Sequence, residues 1–512
     1  HCSLLTAHCS LLTAHCSLFT AHSSLFTVHS SPAREFHMLA RMLTAAIALL
    51  CPAARALAQD LGVKAPPQPR PIAIVNAEIH PIASDIIPNG FIKFDRGVIT
   101  AIGRMTNDDG STLLDVDGLR ADGYDVIDLH NQLGMSVYPG MIASYSQLGL
   151  TEIAAVRSTL DYAEVGAMTP ELRAVVAVNP DSTLIPVTRS NGVLLAGVFP
   201  TTNSGGLISY FSGPGGLLPG RAGVIRLDGW TWEDMTVLDD AGLVINWPQP
   251  RPIIAWWMNR SADDQRKDSA AQLQALADFF RSARAYAAAR QGGRSNLPVD
   301  QRFEAVRKVL ARERPVYVLA NDYDQILQAV AFADEHNLRL VLVGGNDAPQ
   351  CAELLKRHQV SVIVQGTIRF PKRDDSPYDD AYTLPLRLAD AGVRFALASG
   401  EEASHERNVP YAAALASAYG LDQASAMRAV TLSAAEALGV ADRYGSLEPQ
   451  KSATLFISDG DPLEIATRVS RAFIDGREID LRNKQTELDR KYREKYRQVD
   501  EENGAGGKVG GR

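Results

Sequence analysis

The chain has 512 residues, of which 46% are hydrophobic, and 51 Lys and Arg residues against 59 Asp and Glu residues give it a net charge of −8. This length and composition are ample for a large buried core, which excludes a disordered or fibrous protein. The mild acidity and the absence of any Lys/Arg block leave no electrostatic footprint for nucleic acid. No long uncharged apolar run follows residue 60, so no membrane-spanning helix is predicted there.

The first two segments are predicted to lie outside the folded protein. Residues 1–37 consist largely of seven-residue units of the HCSLLTA type, which lack the charges and helix formers of a coiled coil. We interpret them as a translated tandem repeat that precedes the natural start, rather than as a metal-binding Cys/His tract. Residues 38–58 combine a basic residue, an apolar stretch and a small-residue ending, which is typical of a secretory signal peptide. We therefore expect a periplasmic or secreted bacterial protein, cleaved near Ala58.

A linker and a β domain are predicted next. Residues 59–71 are rich in Pro and Gln and are interpreted as the linker. Short apolar segments bounded by turn residues predict strands at 72–77, 91–95, 98–103 and 125–128. Strand-like patterns return near the other chain end, in ATLFISDG and SRAFIDGREI. We expect residues 72–132 and 441–480 to fold together as one composite β-sandwich domain.

The middle of the chain alternates apolar runs with helical segments, the pattern of βα units on a parallel sheet. The clearest runs are PVYVLA (315–320), LRLVLVGG (338–345), VSVIVQG (360–366) and VRFALASG (393–400). Several such units predict a closed barrel over residues 133–440. Residues 481–512 are first charged and then Gly-rich, which predicts a solvated helix, available to a partner subunit, and a flexible end.

Five stretches carry a family resemblance. They are GVITAIG (97–103), VIDLHNQLGMSVYPGMI (126–142), RNVPYAAALASAYGLDQASAMRAVTLSAAEALGV (407–440), GSLEPQKSATLFISDGDPL (445–463) and VSRAFIDGREI (469–479). In these stretches the chain resembles the amidohydrolase superfamily, in its imidazolonepropionase-like branch. The resemblance implies an α/β fold, a distorted TIM (β/α)8 barrel with a β-sandwich domain built from both chain ends. It also implies metal-dependent hydrolysis of non-peptide carbon–nitrogen bonds, such as those of cyclic amides or N-acyl compounds.

The positions where the resemblance implies metal ligands carry other residues. The paired histidines of the first barrel strand are replaced by Ser144 and Ser146, and the catalytic Asp position falls on Gly400. Two later strands end at Asn321 and at Gly344-Gly345, again without histidine. Hydroxyl groups are poor zinc ligands, so no metal site is predicted. Zinc or another divalent metal is expected only if ligands have been rebuilt.

The remaining polar residues supply the site candidates. Glu401, Glu402 and His405 follow the last predicted barrel strand, where TIM-barrel enzymes place catalytic groups, and they are the catalytic candidates. An ordinary solvated loop is the alternative. Arg189 is suited to bind a substrate carboxylate, or to pin a loop through an ion pair. The substrate-binding candidates are Arg189, Asn321, Ser144 and Ser146.

Two functions therefore remain open from the sequence. One is an exported hydrolase of carbon–nitrogen bonds, and the other is a catalytically inactive homologue that acts as a binding or assembly subunit. The expected partners are a small-molecule substrate or ligand, and either a second copy of the chain or an active relative in a mixed assembly. No nucleic-acid partner is expected.

Overall fold

A computed structural model describes residues 62–506, except positions 108, 110, 131, 133, 201–215, 253, 255–259, 293–297, 374 and 401. The repeat, the signal segment and the catalytic candidate Glu401 therefore lie outside the described residues. Within the described ranges the strands form two eight-stranded sheets. In that same part of the chain, no helix combines the length and hydropathy that crossing a bilayer requires.

The first sheet combines strands from both ends of the chain. Its strands are β1 (Ile72–Ile79), β2 (Ile87–Asp95), β3 (Val98–Arg104), β4 (Asp125–Asp128), β5 (Ser136–Pro139), β14 (Leu455–Ser458), β15 (Val469–Ile474) and β16 (Arg477–Glu478). The order is β16-β15-β14-β5-β1-β2-β3, with β4 also paired to β1. The two ends meet where β5 pairs antiparallel with β14, with Pro139 opposite Leu455. The predicted β domain built from both chain ends is thereby confirmed.

This sheet packs on an apolar core. Ile74, Ile92 and Phe94 from the amino-terminal strands pack with Leu455 and Phe473 from the carboxyl-terminal strands, and all five are fully buried. The rings of Phe94 and Phe473 meet edge to face, with centroids 5.3 Å apart. Each chain end supplies part of this hydrophobic cluster, so the cluster is complete only when the two ends pair.

The second sheet forms the barrel. Its strands are β6 (Met141–Ser146), β7 (Val193–Val198), β8 (Gly220–Arg226), β9 (Thr236–Asn246), β10 (Val316–Ala320), β11 (Leu340–Gly344), β12 (Ser361–Val364) and β13 (Phe395–Leu397), in sequential order. Every residue of β6, β7, β10 and β11 is buried, as expected for strands covered on both faces. The predicted distorted TIM barrel is confirmed.

The distortion has a specific origin in β8. This strand runs antiparallel to both neighbours, β7 and β9, whereas the other strand pairs in the barrel sheet are parallel. Residues 227–235, with one short helical turn, connect β8 to β9. So short a segment makes a reverse connection, because a parallel crossover needs about a dozen residues or more. The sequence pattern predicted a parallel sheet and did not reveal this reversal.

Helices surround the barrel in the described ranges. They are α1 (Val116–Ala121), α2 (Leu184–Arg189), α3 (Trp232–Met235), α4 (Ala262–Gln291), α5 (Gln301–Ala305), α6 (Arg307–Leu310), α7 (Tyr323–Glu335), α8 (Ala352–Arg357), α9 (Asp380–Asp390), α10 (Val409–Ala418), α11 (Gln423–Ala429), α12 (Leu432–Leu438) and α13 (Lys484–Gly506). Local sequence sets several boundaries. Asp322 and Gln325 form a capping box that starts α7, and Gly439, with φ +74°, ends α12.

The barrel closes between its first and last strands through a side chain. β6 and β13 are the two ends of the hydrogen-bonded strand order. Ser144 Oγ on β6 donates to the carbonyl oxygen of Leu397 on β13 at 2.9 Å. Near the other end of β6, the amide of Ile142 donates to the carbonyl oxygen of Val430, just before α12. We call this junction the barrel seam.

Candidate functional site at the barrel mouth

The barrel mouth is the end at which the parallel strands finish, and TIM-barrel enzymes place their chemistry there. Ser144 and Ser146 lie near the end of β6 and are both almost fully buried. Ser144 is committed to the barrel seam, while Ser146 Oγ accepts a hydrogen bond from the amide of Leu148 at 3.0 Å. Both hydroxyls therefore hold the backbone in place.

A β-bulge on β6 lies between Ala143 and Ser146 and changes the direction of the side chains there. Ala143 and Ser146 on β6 pair with Ala196 and Val198 on β7, so three steps on one strand match two on the other. The extra residue breaks the regular alternation of side chains. In a regular strand, residues 144 and 146 would point to the same side of the sheet. The bulge explains why the two hydroxyls reach different partners.

Aromatic side chains occupy the barrel interior. The Phe199 ring lies 4.8 Å from the Tyr145 ring and meets the Tyr317 ring edge to face at 5.0 Å, centroid to centroid. The Tyr317 hydroxyl donates to the carbonyl oxygen of Ala437 in α12, which packs against the seam strands on the far side of the barrel from β10. Burial raises the pKa of the Tyr317 phenol, so it stays a neutral donor. We call Tyr145, Phe199 and Tyr317 the aromatic row.

The position of the family's catalytic aspartate is sterically closed. Gly400 has φ +73°, and a Cβ atom built on it would lie 2.2 Å from the carbonyl oxygen of Gln365. Gly366 is equally confined, since its Cβ would lie 2.3 Å from the carbonyl oxygen of Ser399. Two backbone segments therefore touch at the ends of β12 and β13, and a side chain at residue 400 has no room without backbone movement.

Asn321 and Gly344 lie together at the ends of the next two strands. A Cβ atom on Gly344 would lie 2.4 Å from Asn321 Oδ1, and Gly344 has φ +104°. The backbone N–H of Asn321 donates to Gln325 Oε1 at 2.9 Å, which ties Asn321 to the start of α7. The Asn321 side chain thus fills the space over Gly344. These two positions, where the family resemblance implies histidines, form one packed contact.

An ion-pair network that was not predicted from sequence spans the mouth. Lys372 and Arg373 follow β12 and pair with Asp322 after β10 and Asp347 after β11. Burial raises the pKa of Asp322, but hydrogen bonds from Lys372 and Gln249 outweigh it, so the pKa lies below its ordinary value. The hydrogen bond to Asp347 raises the pKa of the Arg373 guanidinium. The sequence feature that could have indicated this network is the acidic residue that follows each of β10 and β11 by two or three positions.

Glu402 and His405 lie on one exposed turn. Glu402 immediately precedes a 3-10 helix at Ala403–Asn408, and His405 lies within it. The backbone N–H of His405 donates to the carbonyl oxygen of Glu402 at 2.8 Å. The same turn contacts the segment that leads into β7, where Asn191 Nδ2 donates to the carbonyl oxygen of Arg407 at 2.7 Å. The turn therefore packs against α2 and the segment that precedes β7.

Arg189 lies at the end of the barrel opposite the mouth. It precedes β7, and its partner Asp228 follows the antiparallel strand β8, so both sit where β7 begins. Its Nη1 donates to Asp228 Oδ1 at 3.1 Å and its Nε donates to the carbonyl oxygen of Asp480 at 2.9 Å. Asp228 Oδ2 also accepts from the amide of Ala65. This buried ion pair joins the barrel to both flanking segments. The helix α2, which ends at Arg189, also contacts the turn at Ala403–Asn408 that carries His405.

Glu152, on the loop after β6, was also missed from sequence. It is half-buried, and its Oε1 accepts a hydrogen bond from Asn179 Nδ2 at 3.2 Å. Burial raises the pKa of Glu152 above its ordinary value, against the opposing effect of hydrogen bonds from Ser182 and Asn179. A carboxyl group with a raised pKa beside a barrel mouth is suited to general acid–base work.

The donor set at the mouth does not fit the family's zinc centre. Across the described ranges, no three His, Cys, Asp or Glu side chains converge as a metal site requires. The two ligand positions on β6 are hydroxyls engaged with backbone groups, and residue 400 has no space for a carboxylate. Zinc sites in proteins are built from imidazole, thiolate and carboxylate groups.

The family relationship rests on the carboxyl-terminal part of the chain. Residues 303–480 match the model of the amidohydrolase family. The match confirms the resemblance inferred from sequence, and it begins after β9, so it leaves out β6 and its two serines. No curated protein matches the chain significantly.

One of three solved structures compared with this chain shares its fold. The crystal structure of an amidohydrolase from Thermotoga maritima MSB8 matches with a TM-score of 0.67 and 23% identity, over 80% of this chain and 100% of that chain. A prolidase complexed with N-methylphosphonate-L-proline matches with a TM-score of 0.47 and 15% identity, over 80% and 99% of the two chains. An adenosine deaminase from Xanthomonas campestris with bound zinc matches with a TM-score of 0.43 and 17% identity, over 85% of this chain and 100% of that chain. At these values only the first structure bears on the fold.

Proposed function

We propose that this chain is a non-hydrolytic amidohydrolase-type protein that acts as a binding or assembly subunit. The observation that carries the proposal is the 2.9 Å hydrogen bond from Ser144 Oγ to the carbonyl oxygen of Leu397. Ser144 occupies the first ligand position of the family and is fully buried. Its hydroxyl proton is used to close the barrel, so the residue serves architecture in place of metal binding.

The rest of the mouth supports the same conclusion. The aromatic row fills interior space, and the contact between Gly400 and Gln365 leaves no room for an aspartate. Lys372 and Arg373 pair with the carboxylates of Asp322 and Asp347, which follow β10 and β11 and would otherwise be available as replacement ligands. A hydrolase that activates water at zinc needs the metal held by several such groups.

A surface suited to assembly is available on α13. Leu488, Tyr492 and Tyr496 are exposed on this helix and recur every four residues, which places them on one side. Ion pairs such as Arg493 with Asp489 line other positions of the helix. Molar mass by light scattering, with and without residues 484–512, tests whether this helix contributes to assembly.

A second candidate function is hydrolysis of a non-peptide carbon–nitrogen bond. The family match over residues 303–480 favours it, and Glu152 supplies a carboxyl group whose raised pKa suits a general base. In this case the chemistry would depend on Glu152 and not on a binuclear zinc centre.

Metal analysis and turnover on the purified full chain separate these candidates. After dialysis against Zn²⁺ and removal of free metal, we expect far less than one zinc ion per chain and no turnover of cyclic amides or N-acyl amino acids above buffer. One or two tightly bound zinc ions, with turnover that a chelator abolishes, would refute the proposal. Metal-independent turnover lost in Glu152→Gln, but kept in the matched Glu164→Gln variant of the same loop, would establish the second candidate.

A further inference from the structure

A cavity opens at the base of the barrel, the end at which the parallel strands begin. It has a volume of about 280 Å³ and lies beneath the first residues of β11, β12 and β13, beside α12. Its polar lining includes Arg312, Arg339, Arg394, His358, Ser361 and Ser433, together with Gln359 and Glu436. We call it the base cavity. The whole barrel separates it from the mouth, where TIM-barrel enzymes place catalytic groups.

The base cavity carries an excess of positive charge. Among the residues that the structure describes, no carboxylate pairs within 4 Å with Arg312, Arg339 or Arg394. The one carboxylate in the lining, Glu436, is already paired with Arg428 at 2.8 Å. Guanidinium groups remain charged at any physiological pH, so this local charge is permanent in a chain whose net charge is −8.

Two of these arginines are held in place by bonds that leave most of their donors available. Arg312 Nη1 donates to Asn337 Oδ1 at 2.8 Å, and Arg394 Nη2 donates to the carbonyl oxygen of Gln359 at 2.9 Å. Each guanidinium has five N–H groups in a fixed fork, so several remain for a ligand. Within the described ranges, the half-buried hydroxyls of Ser361 and Ser433 have no hydrogen-bond partner. The cavity therefore presents a pre-organised set of donors, several of which have no acceptor among the described residues.

We propose that the base cavity binds a small organic anion with two or more negative charges on carboxylate or phosphate groups. Arginine forks recognise both groups through paired, charge-assisted hydrogen bonds, which are stronger than neutral ones. Leu338, Leu340 and Phe395 contribute apolar wall that a carbon skeleton would contact. The inference rests on these residues alone and holds whether or not the mouth is catalytic.

Calorimetric titration of the full chain with citrate and, separately, with pyrophosphate tests the proposal. Low ionic strength is used, because salt at about 0.1 M already screens charges beyond about 10 Å. We expect saturable binding of at least one probe with one site per chain. Citrate binding would identify a carboxylate ligand, and pyrophosphate binding a phosphate ligand. If the parent chain binds neither probe, the proposal is wrong.

Variants locate the binding. Arg339→Gln removes a charge from the cavity without removing any side-chain hydrogen bond among the described residues, so the fold should survive, and affinity should fall about tenfold. Arg312→Lys with Arg394→Lys keeps the charge but loses the fork, and should also weaken binding. Arg266→Gln on α4 changes net charge equally at a distant exposed ion pair and should leave affinity unchanged. Equal losses in Arg266→Gln and Arg339→Gln, or no loss in either cavity variant, would overturn the proposal.

Measurements on the same protein preparations distinguish failure of anion binding from failure of the proposed function. Zinc content and amide turnover are measured on the parent chain and on Arg339→Gln. Zinc-dependent turnover would refute the non-hydrolytic function but leave anion binding untouched. Absent anion binding, with absent turnover, would refute only the base cavity proposal.

Discussion

The backbone of Gly400 lies directly against the carbonyl group of Gln365, at the ends of the last two barrel strands. A Cβ atom on Gly400 would lie 2.2 Å from that oxygen, far inside van der Waals contact. The glycine is therefore required by the way the two segments cross. Residue 400 stands where the family resemblance implies an aspartate, and a side chain there would require the backbone to move.

Gly400→Ala should lower the free energy of unfolding by about 3 kcal/mol, because left-handed strain of about 1–2 kcal/mol adds to a forced backbone shift. Gly439→Ala is the matched control, since Gly439 has φ +74° but no atom within 4 Å of the place that an added methyl group would take. It should cost about 1 kcal/mol, from strain alone. Urea unfolding curves measure both. Equal losses in the two variants would show that the contact with Gln365 is not tight.

Ser144→Ala should destabilise the protein by about 1–3 kcal/mol, because it leaves the buried carbonyl group of Leu397 without its side-chain donor. Ser470→Ala removes a similar bond, from an exposed serine of β15 to the carbonyl oxygen of Ile457. That control should cost less than about 0.5 kcal/mol, since water replaces the donor. Thermal unfolding of both variants decides the matter. A larger loss in Ser470→Ala would contradict a structural role for the barrel seam.

Arg189→Met should cost about 3–5 kcal/mol, because it leaves the buried carboxylate of Asp228 without its charged partner. Arg173→Met breaks a solvent-exposed pair with Asp239 and should cost about 1 kcal/mol or less. Denaturant midpoints of the two variants provide the comparison. Retained stability in Arg189→Met, together with lost binding of a carboxylate ligand, would instead assign Arg189 to a binding site.

Asp322 should make stability depend on acid pH. Its pKa in the folded protein is depressed, so its contribution is complete above the ordinary value of about 3.9 and is lost as pH falls through the folded value. Asp322→Asn should therefore be less stable than the parent at pH 6, and the difference should shrink below about pH 4. Lys372→Met removes the partner cation and should produce the same convergence. A constant difference at every pH would exclude this ion pair as the cause.

The proposed signal peptide, residues 38–58, predicts where the mature protein begins. Residues 38–58 end in Ala56-Leu57-Ala58, the small-residue pattern that signal peptidase recognises. N-terminal sequencing of material secreted by a bacterial host should begin at or near Gln59. Ala58→Phe should block cleavage, whereas the same change at Ala54, outside the recognised positions, should not. Recovery of the seven-residue repeats in exported protein would contradict the prediction.

Local patterns predicted most of the architecture but little of the mouth. The predicted strand at 315–320 and the helix after it match β10 and α7. Both could be predicted because an apolar run and a capping box are patterns of residues close together in the sequence. The bulge at Ser144 depends on pairing with β7, and the pairing of Lys372 with Asp322 joins residues far apart in the chain. The base cavity likewise draws arginines from several loops. Such features follow from tertiary packing, which no local pattern encodes.

The pairing of β5 with β14 has a consequence for biosynthesis. Pro139 and Leu455 are neighbours in the sheet, yet the entire barrel lies between them along the chain. At about 5–20 residues per second, a ribosome needs tens of seconds to deliver β14 after β5 has emerged. During that interval β5 is an open strand edge beside exposed apolar side chains, a state prone to aggregation. Yield in the cell should therefore depend on chaperones that shield nascent strands more than on the stability of the finished protein.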